Sequence, residues 1–259
     1  MNDEIESFAL NIFNQSLKLP LVKVNRAEFL VKVFGNEIED KNRLFDQGPQ
    51  DFFTKEELDK KAQIRINYLT TKSSAVSFAT GLPGGPAMLA TIPADVIQFY
   101  AYSLKLAQEI SYIYGYKDMW TDQGELSNEA KNTLILYLGI MLGVSSAGSL
   151  TRLLFANLSV RALKRIPQKA LTKTFYYPII KKVLVVFGTR LTKVSFAKGV
   201  SKILPVVGGV ISGGLNYISM RPMANRLKKE LSKSIDYTES DLKKDFEILK
   251  EEDIVIYKE

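Results

Sequence analysis

Apolar residues recur every three or four positions along most of the chain, and the strict alternation typical of β-strands is nearly absent. This period places apolar side chains on one face of an α-helix. Helix-end signals separate the periodic stretches: Asn25 with Glu28 and also Ser127 mark helix starts, and Gly115 marks a helix end. The pattern predicts an all-α protein, a compact single domain of many helices.

One of these helices is predicted from about Lys55 into the low 70s. Its apolar positions near helical spacing are Leu58, Ala62, Ile64 and Tyr68. The run from Thr80 to Pro86 holds three glycines and two prolines, which predicts a loop after this helix.

The next helix is predicted to begin at Pro93, because proline suits the first position of a helix. Asp95 then falls in the first turn, where the helix dipole favours a negative charge.

A short helix is predicted near the end of the chain, with Thr238 and Asp241 at its start. Its apolar face is Leu242, Phe246 and Leu249, and an extended conformation is possible at Val255 and Ile256.

Two uncharged stretches, Thr133–Leu150 and Ile203–Met220, are unusually apolar, and both contain glycine. Each is near the shortest length that crosses a hydrocarbon core, about 17–20 residues. Gly209 and Gly213 form a GxxxG pair, which favours close helix packing in membranes and in protein cores alike. We predict two buried central helices, and insertion into a membrane stays open as an alternative.

The chain contains no cysteine and no histidine. This excludes thiolate nucleophiles, imidazole metal ligands and Ser–His–Asp catalysis. The composition therefore favours a protein that is not an enzyme and has neither a cofactor nor a bound metal. Asp95 is the one weak catalytic candidate, and a helix-capping role is the alternative.

Charge is segregated along the chain. Between Glu129 and Glu230 there are 17 Lys and Arg residues and no acid, whereas residues 1–129 and 230–259 each carry a net charge of −5. Such a pattern indicates a polyanionic partner, namely phospholipid head groups or nucleic acid. The alternative is that the acidic ends fold over the basic middle and neutralise it.

A helix from about Arg152 to Ile166 would carry a basic face opposite an apolar one, as interfacial helices do. We predict that an anionic surface binds the cations in and after this helix. The candidate residues are Arg161, Lys164, Arg165, Lys169, Lys173, Lys181 and Lys182. Long aliphatic runs among the cations and the lack of a zinc-finger or RNP signature argue against nucleic acid.

Two glycine-rich blocks, Ser74–Gly115 and Ile203–Asn216, resemble the EcsC family of bacteria. The matching motif residues are Gly81, Pro83, Gly84, Gly85, Pro93, Asp95, Tyr100, Gly115, Pro205, Gly208, Gly209, Gly213, Gly214 and Asn216. These motifs are structural, so the resemblance implies no catalytic residue. The family is named after a protein encoded beside an ABC transporter, which agrees with a role at a membrane.

Three segments are predicted: an N-terminal helical segment (1–19), an EcsC-like helical domain (20–235) and an acidic C-terminal helix and tail (236–259). The acidic N-terminus lacks the features of a secretory signal, so a cytoplasmic location on the inner face of the membrane is expected.

The predicted function is peripheral binding to anionic lipid or to a membrane protein. A membrane-permeabilising effector and an Asp-dependent enzyme acting on a lipid-like substrate are the alternatives.

Overall fold

The computed structural model describes residues 2–81, 94–158, 173–200 and 205–256. In these ranges the chain forms ten α-helices and no β-strand, which confirms the all-α prediction. The helices are α1 (Asn2–Leu17), α2 (Arg26–Phe34), α3 (Lys41–Gln47), α4 (Lys55–Gly81), α5 (Ala94–Ile113), α6 (Asn128–Leu142), α7 (Ser145–Leu158), α8 (Lys173–Val200), α9 (Pro205–Ser232) and α10 (Glu239–Ile256).

The helix ends predicted at Asn25, Ser127 and Gly115 form in the structure. The Asn25 side chain accepts a hydrogen bond of 3.0 Å from the backbone N–H of Glu28 at the start of α2. Ser127 accepts one of 3.1 Å from the N–H of Ala130 at the start of α6. Gly115 follows α5 with φ +86°, the left-handed conformation that favours glycine.

Helix α4 is longer than predicted and includes Thr80 and Gly81, so the loop predicted from residue 80 does not begin there. The last part of α4 is rich in hydroxyl residues, which usually favour turns. Here the Thr70 and Ser74 hydroxyls donate to the backbone carbonyls of Ile66 and Thr70 within the helix. Packing against α9 then outweighs the weak helix propensity.

The predicted apolar face of α4 is partly wrong. Leu58 and Ala62 are buried, but Ile64 is 66% exposed and Tyr68 is also exposed. The buried positions further along α4 are Ile66, Leu69, Thr70 and Ser73. Thr70 lies in the core with its hydroxyl bonded to its own helix, whereas the buried Ser73 hydroxyl has no described hydrogen-bond partner, so hydrophobicity alone points to the wrong face.

The apolar stretch 133–150 is not one helix. Gly143, with φ +90°, ends α6, and the N–H groups of Gly143 and Val144 bond to the carbonyls of Ile140 and Gly139. Every residue from Leu134 to Leu142 is buried, which confirms the prediction of an apolar core helix. The second apolar stretch, Ile203–Met220, supplies the first part of α9 from Pro205 onward. Helix α9 then continues through charged residues to Ser232.

The start of α10 is as predicted. Thr238 donates from its N–H and its hydroxyl to Asp241, and Asp241 donates its N–H to the Thr238 hydroxyl. Val255 and Ile256 are helical and not extended, because neither glycine nor proline interrupts the run from Glu239.

Helix α5 is central, and it runs antiparallel to α4. Near one end, Tyr114 at the close of α5 donates to Asp59 of α4, and further along Arg65 of α4 bonds to Glu109 of α5. Helix α9 is also antiparallel to α4, because Lys228 donates to Gln63 at 2.8 Å and Lys55 pairs with Asp236 at 2.9 Å. The end of α4 and the starts of α5 and α9 therefore lie at the same end of the molecule.

Both terminal helices pack on this bundle. Helix α1 packs against α8 at Gly188. A Cβ at this position would lie 2.6 Å from the carbonyl oxygen of Ile5, so the lack of a side chain allows the close approach. Helix α10 packs mainly against α7.

Candidate functional site

The predicted basic face falls mainly outside the described residues. Arg161, Lys164, Arg165 and Lys169 lie outside them, and Lys173 begins α8 with its side chain outside the description. The helix that was predicted to begin near Arg152 begins earlier, at Ser145, so Arg152 lies inside α7.

Lys181 and Lys182 are exposed on α8, and acids of α1 lie close to the first of them. The Lys181 ammonium is 3.2 Å from Asp3 and 3.7 Å from Glu6. The hydrogen bond that Lys181 donates to Asp3 and the charges of both acids raise the pKa of Lys181. The acidic N-terminus thus neutralises part of the basic middle of the chain.

Arg152 is a second cation that is neutralised inside the molecule. Its Nε and Nη2 donate to the two carboxylate oxygens of Asp245 on α10, at 2.9 and 2.5 Å. Arg152 also pairs with Glu230 of α9, and Tyr237 donates to Asp245 at 2.8 Å. Burial, together with the Asp245 carboxylate, raises the pKa of the Tyr237 hydroxyl, which keeps it protonated as a donor.

The motif residues of the EcsC resemblance are only partly described. Gly81 lies in the last turn of α4 and Asp95 in the first turn of α5, and the Asp95 side chain is outside the description. Four glycines and one asparagine belong to the first half of α9, namely Gly208, Gly209, Gly213, Gly214 and Asn216. Pro83, Gly84, Gly85 and Pro93 lie outside the described residues.

A cationic groove runs along the second half of α9, where the sequence analysis had placed no site. The groove has a volume of about 560 Å³, and the described residues that line it are Ile218, Arg221, Pro222, Asn225, Arg226 and Lys229. Their spacing of three and four positions places them on one helix face. None of them is acidic, so this face carries three positive charges beside apolar surface.

The outer edge of the groove is open to solvent. Ile218 is 68% exposed, and Pro222, Arg226 and Lys229 are also exposed. Arg226 donates to the carbonyl oxygen of Met141 at 3.1 Å, which fixes the guanidinium beside the end of α6. Among the described carboxylates, none forms an ion pair with Arg226 or Lys229.

The sequence contained a signal for this groove. The segment between Glu129 and Glu230, which we call the acid-free segment, includes Arg221, Arg226 and Lys229. In the same segment, Ile218 and Pro222 are one helical turn apart. The signal is hidden when Ile203–Met220 is treated as a separate apolar unit. The structure joins it to the following cations in one continuous helix.

The part of the chain that the structure describes meets the requirements of neither a metal site nor a membrane-spanning helix. It contains no cluster of three acids arranged to hold a metal ion. None of the helices in that part combines the length and the apolar character needed to cross a bilayer.

No protein-family model matches the chain, and comparisons with curated proteins and with solved structures return no significant match. The resemblance to the EcsC family therefore stays a prediction.

Proposed function

We propose that this protein binds peripherally to an anionic membrane surface through cations of its acid-free middle segment. The exposed face of α9 carries the proposal, because it combines an exposed isoleucine with three cations and no acid among its described residues. Apolar side chains that enter the head-group region and cations that meet anionic lipids are what an interfacial helix requires.

The distribution of ion pairs also supports binding through the exposed face of α9. Lys181 and Arg152 are already paired with acids from the two ends of the chain, which leaves other cations of the segment for an external partner. Arg226 and Lys229 have no described carboxylate partner. Each cation near an anionic membrane contributes about 1 kcal/mol, so a few of them together with Ile218 suffice for reversible binding.

Binding is tested by co-sedimentation with liposomes of phosphatidylcholine containing graded amounts of phosphatidylglycerol, at low and high salt. We expect binding that rises with the anionic lipid and falls with salt. The double variant Arg226→Glu/Lys229→Glu should weaken it at least about 30-fold, since two attractions of about 1 kcal/mol each are removed.

The matched control is Lys41→Glu/Lys117→Glu, which makes the same change in net charge at two exposed lysines outside the acid-free segment. It should bind nearly as the unmodified protein does. Ile218→Ser keeps the charge and removes only an exposed apolar side chain, so it should weaken binding without affecting folding.

Equal binding by the groove variants and the control variant would remove α9 from the proposal. Charge reversal at Arg161, Lys164 and Arg165 then tests the remaining part of the segment. Absence of binding at every lipid composition would contradict the membrane proposal and favour complete internal charge pairing. A dye enclosed in the same liposomes reports on permeabilisation, and peripheral binding predicts no leakage.

A further inference from the structure

A second cationic site lies on another part of the molecule, in a cleft between α2, α4 and α5. The cleft has a volume of about 300 Å³. The charged residues that line it are Lys23, Glu28, Lys32, Arg65, Lys72, Lys105 and Glu109. Five cations thus face two carboxylates, and the described lining has a net charge of +3.

The floor of the cleft is a fixed ion-pair cluster. Glu109 is 2% exposed, and Arg65 donates from Nε to its carboxylate at 2.8 Å, with Nη2 2.6 Å from the same oxygen in an ion pair. Lys105 lies 3.7 Å from the same carboxylate. Burial raises the pKa of Glu109, and the adjacent Arg65 and Lys105 charges oppose this rise.

Aromatic rings hold Arg65 in place. Its guanidinium lies 5.6 Å from the Phe29 ring centre and 4.8 Å from that of Tyr68. Such contacts, together with the hydrogen bond and ion pair to Glu109, leave the arginine little freedom. The cluster therefore presents a preorganised positive group and costs little further ordering when a ligand binds.

Three further lysines lie at the rim of the cleft. Lys23, Lys32 and Lys72 are exposed, and no carboxylate among the described residues forms an ion pair with any of them. Lys23 and Lys32 belong to α2 and the segment just before it, whereas Lys72 belongs to α4, so the packing of α2 against α4 and α5 brings these like charges together. A multiply charged anion in the cleft would relieve their mutual repulsion.

We propose that this cleft binds a small phosphorylated compound with more than one phosphate group. Lysine ammonium groups and an oriented arginine are the donors that phosphate oxygens prefer in proteins. The volume lies at the lower limit for ligand pockets, which fits a small molecule better than a macromolecule. The half-exposed Tyr68 ring at the edge offers a surface on which a nucleobase would stack.

The probes are inorganic triphosphate and ATP, each titrated calorimetrically into the purified full-length chain at 0.15 M salt. Lys32→Gln and Lys72→Gln should each weaken triphosphate binding about tenfold, because each removes a charge-assisted contact. Lys41→Gln alters an exposed lysine that does not line the cleft, and it should bind like the unmodified protein.

Glu28→Gln provides the opposite test. Glu28 is an exposed acid of the cleft whose backbone, and not its side chain, makes the capping bond to Asn25. Its neutralisation raises the charge of the lining to +4 and should tighten triphosphate binding. Circular dichroism of each variant separates a loss of binding from a loss of folding.

Equal affinity of Lys41→Gln and the cleft variants, or failure of the unmodified protein to bind either probe, would overturn the proposal. Tighter binding of ATP than of triphosphate would support it and assign a contact to the base at Tyr68. Equal binding of the two would support a site that recognises only the phosphate chain. None of these results depends on the membrane role, because the α9 groove and this cleft share no described lining residue.

Discussion

Arg152 shows how one residue joins three helices. It belongs to α7, and its guanidinium bonds to Asp245 of α10 and to Glu230 of α9. Taking such charges out of water costs several kcal/mol per ion, and only good geometry and additional hydrogen bonds offset that cost. The two-pronged contact with Asp245 and the donor hydroxyl of Tyr237 supply both.

Arg152→Met is therefore expected to lower the free energy of unfolding by about 3–5 kcal/mol, because Asp245 stays buried without its cation. The measurement is urea unfolding followed by circular dichroism. Lys243→Met, at an exposed position of α10, should change stability by less than about 0.5 kcal/mol.

The double variant Arg152→Met/Asp245→Leu checks the cause of that loss. Removing both charges should recover much of the stability, because a buried pair is replaced by apolar packing. A single Arg152→Met variant as stable as the unmodified protein would show that this cluster does not hold the three helices together.

At the scale of a helix, the start of α10 and the end of α6 are both set by local contacts. Thr238 and Asp241 bond to each other at the start of α10 at 2.5 Å, and Gly143 ends α6 in a left-handed conformation. Each signal is readable in the sequence, because its geometry involves residues only three or four positions apart.

The capping pair of α10 predicts a dependence of stability on pH. The hydrogen bonds from Thr238 lower the pKa of Asp241, so the ionised carboxylate stabilises the folded state. The ionised Asp241 therefore stabilises the fold fully at pH values above its pKa in the unfolded chain, about 4. This stabilisation is lost as the pH falls through its lower pKa in the folded protein.

Thr238→Ala should therefore cost about 1 kcal/mol at pH 7 and progressively less below pH 4. Urea unfolding at pH 7, 4 and 3 measures this difference. Ser240→Ala, an exposed neighbour, is the control and should show no such trend. A constant cost of Thr238→Ala at all three pH values would contradict a role for the ionised carboxylate.

At the scale of the whole molecule, the buried residues form one continuous core. It includes Ile12 of α1, Leu106 of α5, Leu138 of α6 and Leu249 of α10, which come from the two ends and the middle of the chain. The terminal helices are thus part of the same core as the central helices.

One shared core predicts cooperative unfolding. Trp120 is the single tryptophan, and its indole N–H donates to Gln108 of α5 at 2.6 Å. Its fluorescence therefore reports on packing around the central helix, whereas far-UV circular dichroism reports on all helices. The two signals should change at the same urea concentration, and a separate earlier change in either one would indicate an independently unfolding part.

The sequence alone determined the fold class, the starts of α2, α6 and α10 and the segregation of charge. Helical spacing, caps and net charge arise from residues close together in the chain, so no tertiary contact is needed to infer them. For the same reason the burial of Leu134–Leu142 was predictable, since that part of α6 is apolar on every side.

Which face of α4 is buried and which cations are neutralised depend on contacts between distant parts of the chain. Ile64 is exposed and Ser73 buried because α9 packs along one particular side of α4. Lys181 pairs with Asp3 across 178 positions of sequence, whereas Arg226 and Lys229 form no ion pair with a described acid. Charge pairing and burial depend on distances in space, and the folded backbone sets those distances.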